Sequence, residues 1–175
     1  MSSILFVYST TDGHTRSICE RLRAIAEAHG HRVTVVNVAD DPEVDPAPFD
    51  KVVVGASIRY GKHSPRIVEF IRRRQGVLES KPNAFFSVNV VARKPDKNRP
   101  ETNPYVRKFL STIAWKPQRA VVFAGRIDYP RYGVFDRAMI RFIMWMTKGP
   151  TDPTATVEFT DWAQVEAFGE TVSAM

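Results

Sequence analysis

The residues best suited to chemistry follow directly after an apolar run at residues 4–7. They are Ser9, Thr10, Thr11, Asp12, Gly13, His14 and Thr15, and a helix-like stretch begins at once behind them. Free N–H groups in the first turn of a helix, hydroxyl donors and a glycine that permits close approach together form an anion site. The spacing matches neither Gly-x-Gly-x-x-Gly nor the lysine-bearing P-loop, so the loop predicts a site for a single phosphate group. The alternative is a turn in which Asp12 merely caps the backbone.

Two later segments are expected at the same edge of the molecule, because each follows a predicted strand of one sheet. The first comprises Ser57, Ile58, Arg59, Tyr60 and Gly61. The second comprises Ser87, Val88, Asn89, Val90, Val91, Ala92 and Arg93. Tyr60 is suited to stack on a flat ring and Asn89 to contact its polar edge, although a lone tyrosine in a loop often only covers a strand end. Together the three segments predict a flat, phosphorylated cofactor.

Five apolar runs alternate with helical patterns, which is typical of a parallel sheet covered on both faces. The runs span residues 3–8, 32–38, 51–56, 83–91 and 119–125. Helices are predicted from residue 15 to before Gly30, from Pro65 to about Gln75, and after Asn103, where a capping side chain precedes a proline. The pattern predicts an α/β fold with a doubly wound, five-stranded parallel sheet.

The alternation breaks after the fifth run. Residues 128–133 read as a turn, residues 134–148 as an amphipathic helix, and residues 156–159 as a short strand before a last helix. We therefore expect an insertion at residues 126–153 that interrupts the fifth strand, whose second half returns at residues 155–159. The whole chain, residues 1–175, is expected to form a single domain, because its length and its 43% hydrophobic content suit one core.

The charge is unevenly distributed. Residues 59–148 hold 20 Lys and Arg against 6 Asp and Glu, whereas both flanking segments are acidic. Such a block attracts nucleic acid, anionic lipid or a small acidic molecule. Nucleic-acid binding is disfavoured, because the basic residues do not alternate with exposed aromatic residues on a recognisable module.

The sequence also carries signs of cellular location. No apolar stretch is long enough to span a bilayer, and the N-terminus lacks a signal-peptide pattern. The lone Cys19 has no partner for an internal disulfide and none for a thiolate metal site. A cytoplasmic protein without a metal is expected, with Cys19 as a buried apolar residue.

The loop from Thr10 to Thr15 resembles the FMN-phosphate loop of flavodoxins, and the strand order 2-1-3-4-5 with an interrupted last strand is similar to their long-chain branch. Residues 55–61, 87–95, 129–132 and 160–162 closely resemble the quinone-dependent protoporphyrinogen IX oxidases of bacteria, and the resemblance covers nearly the whole chain. Asp12 stands where flavodoxins usually have a threonine. Because a carboxylate repels a phosphate, Asp12 is expected to turn outward and cap the helix.

The resemblance implies that non-covalently bound FMN takes electrons from protoporphyrinogen IX and passes them to a membrane quinone, in haem biosynthesis. The oxidation removes six electrons, so it requires three passes through the flavin, and the redox chemistry belongs to the cofactor. His14 and His63 are candidate proton acceptors, although a histidine near a loop is more often a surface residue, and no catalytic side chain is identified. Five cations are expected to bind the propionate groups of the substrate, with a solvated basic rim as the alternative. They are Arg59, Arg93, Lys94, Arg126 and Arg131.

The helix predicted at residues 134–148 combines a broad apolar surface with Arg137, Arg141 and Lys148. This composition suits a helix that lies on an anionic membrane, where a quinone is met, and implies peripheral attachment to the cytoplasmic face of the inner membrane. The alternative is a helix that packs on its own domain or in a homo-oligomer. Two other functions remain open: an electron-transfer flavodoxin, which the basic middle disfavours, and an NAD(P)H-dependent flavin or quinone reductase.

Overall fold

A computed structural model describes all 175 residues. The strands are β1 (Ser3–Ser9), β2 (Arg32–Asn37), β3 (Lys51–Arg59), β4 (Lys62–His63), β5 (Asn83–Asn89), β6 (Arg119–Ala124), β7 (Arg126–Asp128) and β8 (Thr156–Glu158). The helices are α1 (His14–Ala28), α2 (Pro65–Glu79), α3 (Pro104–Thr112), α4 (Val134–Met146) and α5 (Trp162–Ala174). None of these helices is both long and apolar enough to cross a membrane.

The main sheet contains five parallel strands in the order β2-β1-β3-β5-β6. Numbered along the chain, these are the five predicted runs in the order 2-1-3-4-5, which confirms the predicted fold class. Because β1 and β3 lie at the centre, their carboxyl ends and that of β5 open into one crevice at the point where the strand order reverses.

Two apolar layers cover the sheet, one on each face. Side chains alternate along β1, so that Leu5 and Val7 join the layer under α2 and α3, whereas Ile4 and Phe6 join the layer under α1 and α5. Strands buried on both faces explain why the sequence shows continuous apolar runs rather than alternation. Cys19 is fully buried in the second layer, as predicted.

Capping side chains begin the second and third helices as the sequence predicts. The Ser64 hydroxyl accepts the N–H of Arg66 at 3.2 Å, and the Asn103 side-chain oxygen accepts the N–H of Tyr105 at 3.2 Å. In both helices a proline follows the cap, where its missing N–H is not needed. Helix α2 continues to Glu79, one turn beyond the predicted end at residue 75.

The third strand is longer than predicted. It runs to Arg59 and turns back through Tyr60 and Gly61 into β4, which pairs with it antiparallel. Tyr60 and Gly61 have φ values of 51° and 77°, so this is a two-residue hairpin loop with both central residues left-handed. The loop expected after the third strand is therefore a hairpin turn. Its pairing involves Lys62 and His63, which lie beyond the segment singled out in the sequence.

The insertion is present, but the prediction that residues 155–159 complete the fifth strand of the main sheet is wrong. Strands β7 and β8 form a separate antiparallel pair, with Arg126 opposite Glu158. The Phe159 N–H donates to the Gly125 carbonyl at 3.0 Å, which brings the returning chain beside β7. Helix α4 packs on this ribbon through a small cluster that includes Ile127, Tyr129, Tyr132 and Met144.

Candidate functional site

A cavity of about 670 Å³ opens at the carboxyl ends of the central strands. Its walls come from residues 11–15, residues 57–61, residues 88–91 and the insertion. The structure therefore brings the three segments singled out in the sequence to one place, together with one face of α4. The volume lies within the usual range for small-molecule sites.

The loop between β1 and α1 is shaped by two local hydrogen bonds. The Gly13 N–H donates to the Thr10 hydroxyl at 2.9 Å, and the His14 N–H donates to the Asp12 carboxylate at 3.2 Å. Gly13 has a φ of 89°, a left-handed conformation that glycine adopts without strain. The Asp12 carboxylate thus accepts the first N–H of α1 in an Asx turn, which was the alternative, and Asp12 lines the cavity instead of turning away from it.

Two hydroxyl groups of this loop are buried without any hydrogen-bond partner. Thr15 is 0% exposed and lines the cavity, and Ser9 is 5% exposed beside it in a smaller polar pocket of about 190 Å³. A buried hydroxyl without a partner is unfavourable. The Thr15 hydroxyl therefore fits an oxyanion placed in the cavity at the start of α1.

His14 is buried, contrary to the alternative of a surface residue. The Thr160 hydroxyl donates to the Ala124 carbonyl at 2.8 Å, so it accepts from His14 Nε2, which lies 2.7 Å away. The neutral ring therefore carries its proton on Nε2, and Nδ1 is left without a hydrogen-bond partner, 3.7 Å from Glu158. Burial lowers the pKa of His14, and the nearby Arg126 lowers it further.

The hairpin at the end of β3 is tied to the insertion helix. The Tyr60 hydroxyl donates to Asp136 in the first turn of α4, which raises the pKa of Tyr60, and Arg59 lies 3.8 Å from the same carboxylate. The Arg59 guanidinium also stacks over the Tyr132 ring, 5.2 Å from its centre. These contacts join the hairpin to α4 across the mouth of the cavity.

The segment after β5 forms a compact turn rather than presenting all its side chains to the cavity. The Asn89 side-chain oxygen accepts the Ala92 N–H and the Asn103 amide, both at 3.0 Å. The amide predicted to contact the polar edge of a ring therefore holds the turn and the start of α3 together. Ser87 and Ala92 are buried away from the cavity.

Arg93 and Lys94 lie outside the cavity, contrary to their predicted role in substrate binding. The Arg93 guanidinium donates to the carbonyls of Val90 and Thr147, both at 3.1 Å, and burial lowers its pKa. Arg93 therefore connects the turn after β5 to the end of α4. Arg59 and Arg126 do line the cavity, and Arg131 lies over the loop before α1.

Several cavity residues were missed by the sequence interpretation. They are Tyr105, Gly125, Ile127, Tyr132, Met139, Ile140, Ile143, Met144, Met146 and Thr147. The spacing of residues 139, 140 and 143 marks one face of a helix, but periodicity does not say what that face covers. Of these residues, only Tyr132 belongs to a segment that carries the family resemblance, residues 129–132. That was the one sequence signal available for any of them.

His63 lies in the second strand of the hairpin, outside the main cavity. It is 8% exposed, packs against the rings of Phe85 and Phe109, and contacts the Ser87 hydroxyl through Nε2 at 2.9 Å. Burial lowers the pKa of His63 to about 4. The imidazole is thus a neutral core group at physiological pH.

The low pKa of His63 predicts a loss of stability in acid. The unfolded chain binds this proton near pH 6.5 and the folded chain only near pH 4, so stability present above pH 6.5 is lost as the pH falls. The free energy of unfolding is expected to drop by about 2 kcal/mol between pH 7 and pH 5 through this residue alone. Urea unfolding of the wild type and of His63→Phe at both pH values measures this difference.

The control for this experiment is Ile71→Val, which removes one methylene group from the same apolar layer and no titratable group. The free energy of unfolding of the control should fall between pH 7 and pH 5 by as much as that of the wild type. In His63→Phe this fall should be smaller by about 2 kcal/mol. An identical pH dependence in His63→Phe and the wild type would show that His63 is not responsible.

Comparison with known proteins agrees with this architecture. Residues 5–154 match the flavodoxin domain. The chain belongs to the flavodoxin family. Membership of that family implies a flavin cofactor.

Two curated relatives of this flavodoxin-family chain carry the name protoporphyrinogen IX dehydrogenase [quinone]. The protein from Leishmania major is 45% identical over 98% of this chain and 74% of its own length. The protein from Escherichia coli strain K12 is 44% identical over 97% of this chain and 93% of its own length. The similarity therefore includes the insertion as well as the sheet.

Solved structures of flavodoxins share the fold. An archaeal flavodoxin superposes with a TM-score of 0.56 at 13% identity, covering 98% of this chain and 96% of its own. The flavodoxin of Streptococcus pneumoniae TIGR4 gives 0.54 at 17% identity and covers 98% of both chains. At such low sequence identity, the similarity to these two structures shows a shared fold and nothing further.

Proposed function

We propose that this chain is an FMN-dependent dehydrogenase that oxidises protoporphyrinogen IX to protoporphyrin IX and reduces a quinone, in haem biosynthesis. The observation that carries the proposal is the joint cavity, in which the flavodoxin segments form one wall and α4 of the insertion forms the other. The relatives that share both features over nearly the whole chain bear this activity in their names. Six electrons and six protons leave the substrate, and three quinones become three quinols.

The residues present fit FMN. The Thr15 hydroxyl and the first turn of α1 offer hydrogen-bond donors to a phosphate. The Thr15 hydroxyl has no partner within the protein, so it is free to donate to a phosphate oxygen. Residues 57–61 and 88–91 both line the cavity, at the ends of the neighbouring strands β3 and β5, a position suited to a flat ring. Bound there, FMN would supply the electron-accepting chemistry, and the protein supplies placement.

Arg59 is the cation best placed for a substrate carboxylate. Its guanidinium lines the cavity next to the mouth and is held in position by Asp136 and by the Tyr132 ring. Its Nη1, which lies 3.8 Å from the Asp136 carboxylate, is buried without a hydrogen bond. A carboxylate would satisfy it in the bidentate manner that arginine favours.

Helix α4 also supplies the proposed route for the quinone. Its inner face, with Met139, Ile140 and Ile143, lines the cavity. Its outer face leaves Phe142 and Trp145 53% and 70% exposed. Only the thickness of α4 thus separates the flavin site from an apolar outer surface. This arrangement suits a lipid-soluble acceptor.

We further propose that the outer face of α4 binds the surface of an anionic membrane, at the cytoplasmic side. The exposed apolar residues are Val134, Phe135, Phe142, Trp145 and Met146. Arg141 lies on the same helix and Lys148 directly follows its end, within the segment of excess positive charge. Apolar side chains flanked by cations suit the headgroup region of anionic lipid.

The test of the proposed activity is anaerobic reduction of the bound flavin. Protoporphyrinogen IX should bleach the visible flavin absorbance of the purified holoprotein, and added quinone should restore it as protoporphyrin fluorescence grows. NADH and NADPH serve as controls and should leave the absorbance unchanged. Bleaching by NAD(P)H instead of the porphyrinogen would identify a flavin or quinone reductase, and no bleaching by either would favour an electron-transfer flavodoxin.

A further inference from the structure

The loop before α1 lacks a positive charge of its own. Residues 9–15 contain no lysine or arginine but do contain Asp12. The Asp12 carboxylate already accepts the His14 N–H, which is one of the first-turn amides available to a phosphate. A phosphate monoester carries nearly two negative charges at neutral pH. A cation from another part of the chain would therefore add to the binding that the N–H and hydroxyl groups of the loop supply.

Arg131 lies directly over this loop, although it is 119 residues from Asp12 along the chain. Its Nη1 donates to the Asp12 carbonyl at 2.9 Å and lies 3.9 Å from the position that a Cβ on Gly13 would occupy. Its Nε lies 3.4 Å from the Asp128 carboxylate, which fixes the direction of the side chain. The side chain is 61% exposed, so its other N–H groups are available at the rim of the loop.

Arg126 approaches the same loop from within the cavity. It lines the cavity, and its Nε is buried without a hydrogen-bond acceptor. It lies close enough to His14, the first residue of α1, to contribute to the lowered pKa of that imidazole. A buried guanidinium N–H without an acceptor is unfavourable, and an anion at the start of α1 would remove that penalty.

We propose that Arg126 and Arg131, both contributed by the segment that follows the main sheet, bind the phosphate of the flavin nucleotide. The inference rests on the proposed use of FMN and assigns these two arginines to the cofactor instead of to the substrate's propionate groups. They offset the Asp12 carboxylate and make the affinity for the cofactor depend on the insertion. The protein should then discriminate strongly between FMN and riboflavin, which lacks only the phosphate.

The test compares the two flavins on the full chain after its flavin has been removed. Dissociation constants for FMN and for riboflavin are measured by quenching of flavin fluorescence. Arg126→Gln and Arg131→Gln are each expected to weaken FMN binding about tenfold, the effect of one charge-assisted hydrogen bond. Riboflavin binding should change by less than about twofold, because no charged partner is lost.

Two further variants sharpen the result. Arg131→Lys keeps the charge and should recover part of the FMN affinity. Arg141→Gln removes an arginine of the same insertion whose Nε donates to the Thr151 carbonyl at 2.8 Å, and it should bind both flavins as the wild type does. Circular dichroism confirms that each variant is folded.

Equal losses for FMN and riboflavin in the two variants would overturn the inference, because the arginines would then only shape the loop. Unchanged affinity for both flavins would overturn it as well. A wild-type chain that binds neither flavin would instead refute the proposed function itself. The two failures are thus distinguishable in one set of titrations.

Discussion

Replacing Phe142 and Trp145 together by glutamate is expected to lower the binding of the protein to anionic vesicles by at least about 100-fold. Both side chains lie on the outer face of α4 and are more than half exposed, so the change leaves the packing of the helix intact. Burying one such side chain in the headgroup region contributes roughly 1.5–3 kcal/mol, and two new carboxylates add repulsion from anionic lipid. Flotation with vesicles of phosphatidylcholine and phosphatidylglycerol measures the effect.

A variant with the same change in charge is the matched control. Gln75→Glu with Gln118→Glu also adds two carboxylates, but on α2 and before β6, away from α4. It should float nearly as the wild type does, and both variants should retain bound flavin and bleaching by porphyrinogen. If the Phe142/Trp145 variant floats as well as the wild type, α4 is not the membrane contact and its outer face requires another occupant.

Gly55→Ala is expected to destabilise the protein by about 3 kcal/mol. A Cβ on Gly55 would lie 2.2 Å from the Cζ atom of Phe86 on the neighbouring strand. Phe86 is fully buried, and its ring contacts those of Phe123 and Phe168, so it has no room to withdraw. The strain falls on β3, which leads directly into the hairpin of the site. Urea unfolding gives the free energy difference.

Gly76→Ala provides the control for this substitution. Gly76 is exposed near the end of α2, and no atom of a neighbouring residue lies within 4 Å of the position that an added methyl group would take. Alanine there should stabilise the protein by about 1 kcal/mol, since glycine is a poor helix former. The same methyl group is thus expected to act in opposite directions at the two positions. If both substitutions lowered the stability, or if neither did, the close approach of Phe86 to Gly55 would be contradicted.

Local chemistry explains why much of the fold was predictable. The pairs Ser64-Pro65 and Asn103-Pro104 begin helices because a cap and a proline act on backbone groups within one turn. The apolar runs of β1, β3 and β5 become parallel strands that the rest of the chain buries on both faces. The turn of the loop before α1 is formed by hydrogen bonds between neighbouring residues.

The largest errors concern contacts between segments far apart in the chain, whereas the ends of α2 and β3 were misplaced by only a few residues. Strand β8 pairs with β7 because Phe159 reaches Gly125, and no local pattern at residues 155–159 distinguishes that pairing from a return to the main sheet. Arg93 was assigned to substrate because it follows a strand, but its donors are taken by Val90 and Thr147. Sequence position indicated the loop on which each arginine lies, but not the direction of its side chain.

By itself, the sequence determined the kinds of element, their order, and the tight loop that begins the first helix, because periodicity, capping and turn chemistry act over a few residues. Only the tertiary structure decided that one face of α4 closes the cavity, that Tyr60 is bound to Asp136, and that Arg131 lies over Asp12. The last two contacts join residues that are 76 and 119 positions apart. Such pairs are selected by the packing of the whole chain, which no local pattern encodes.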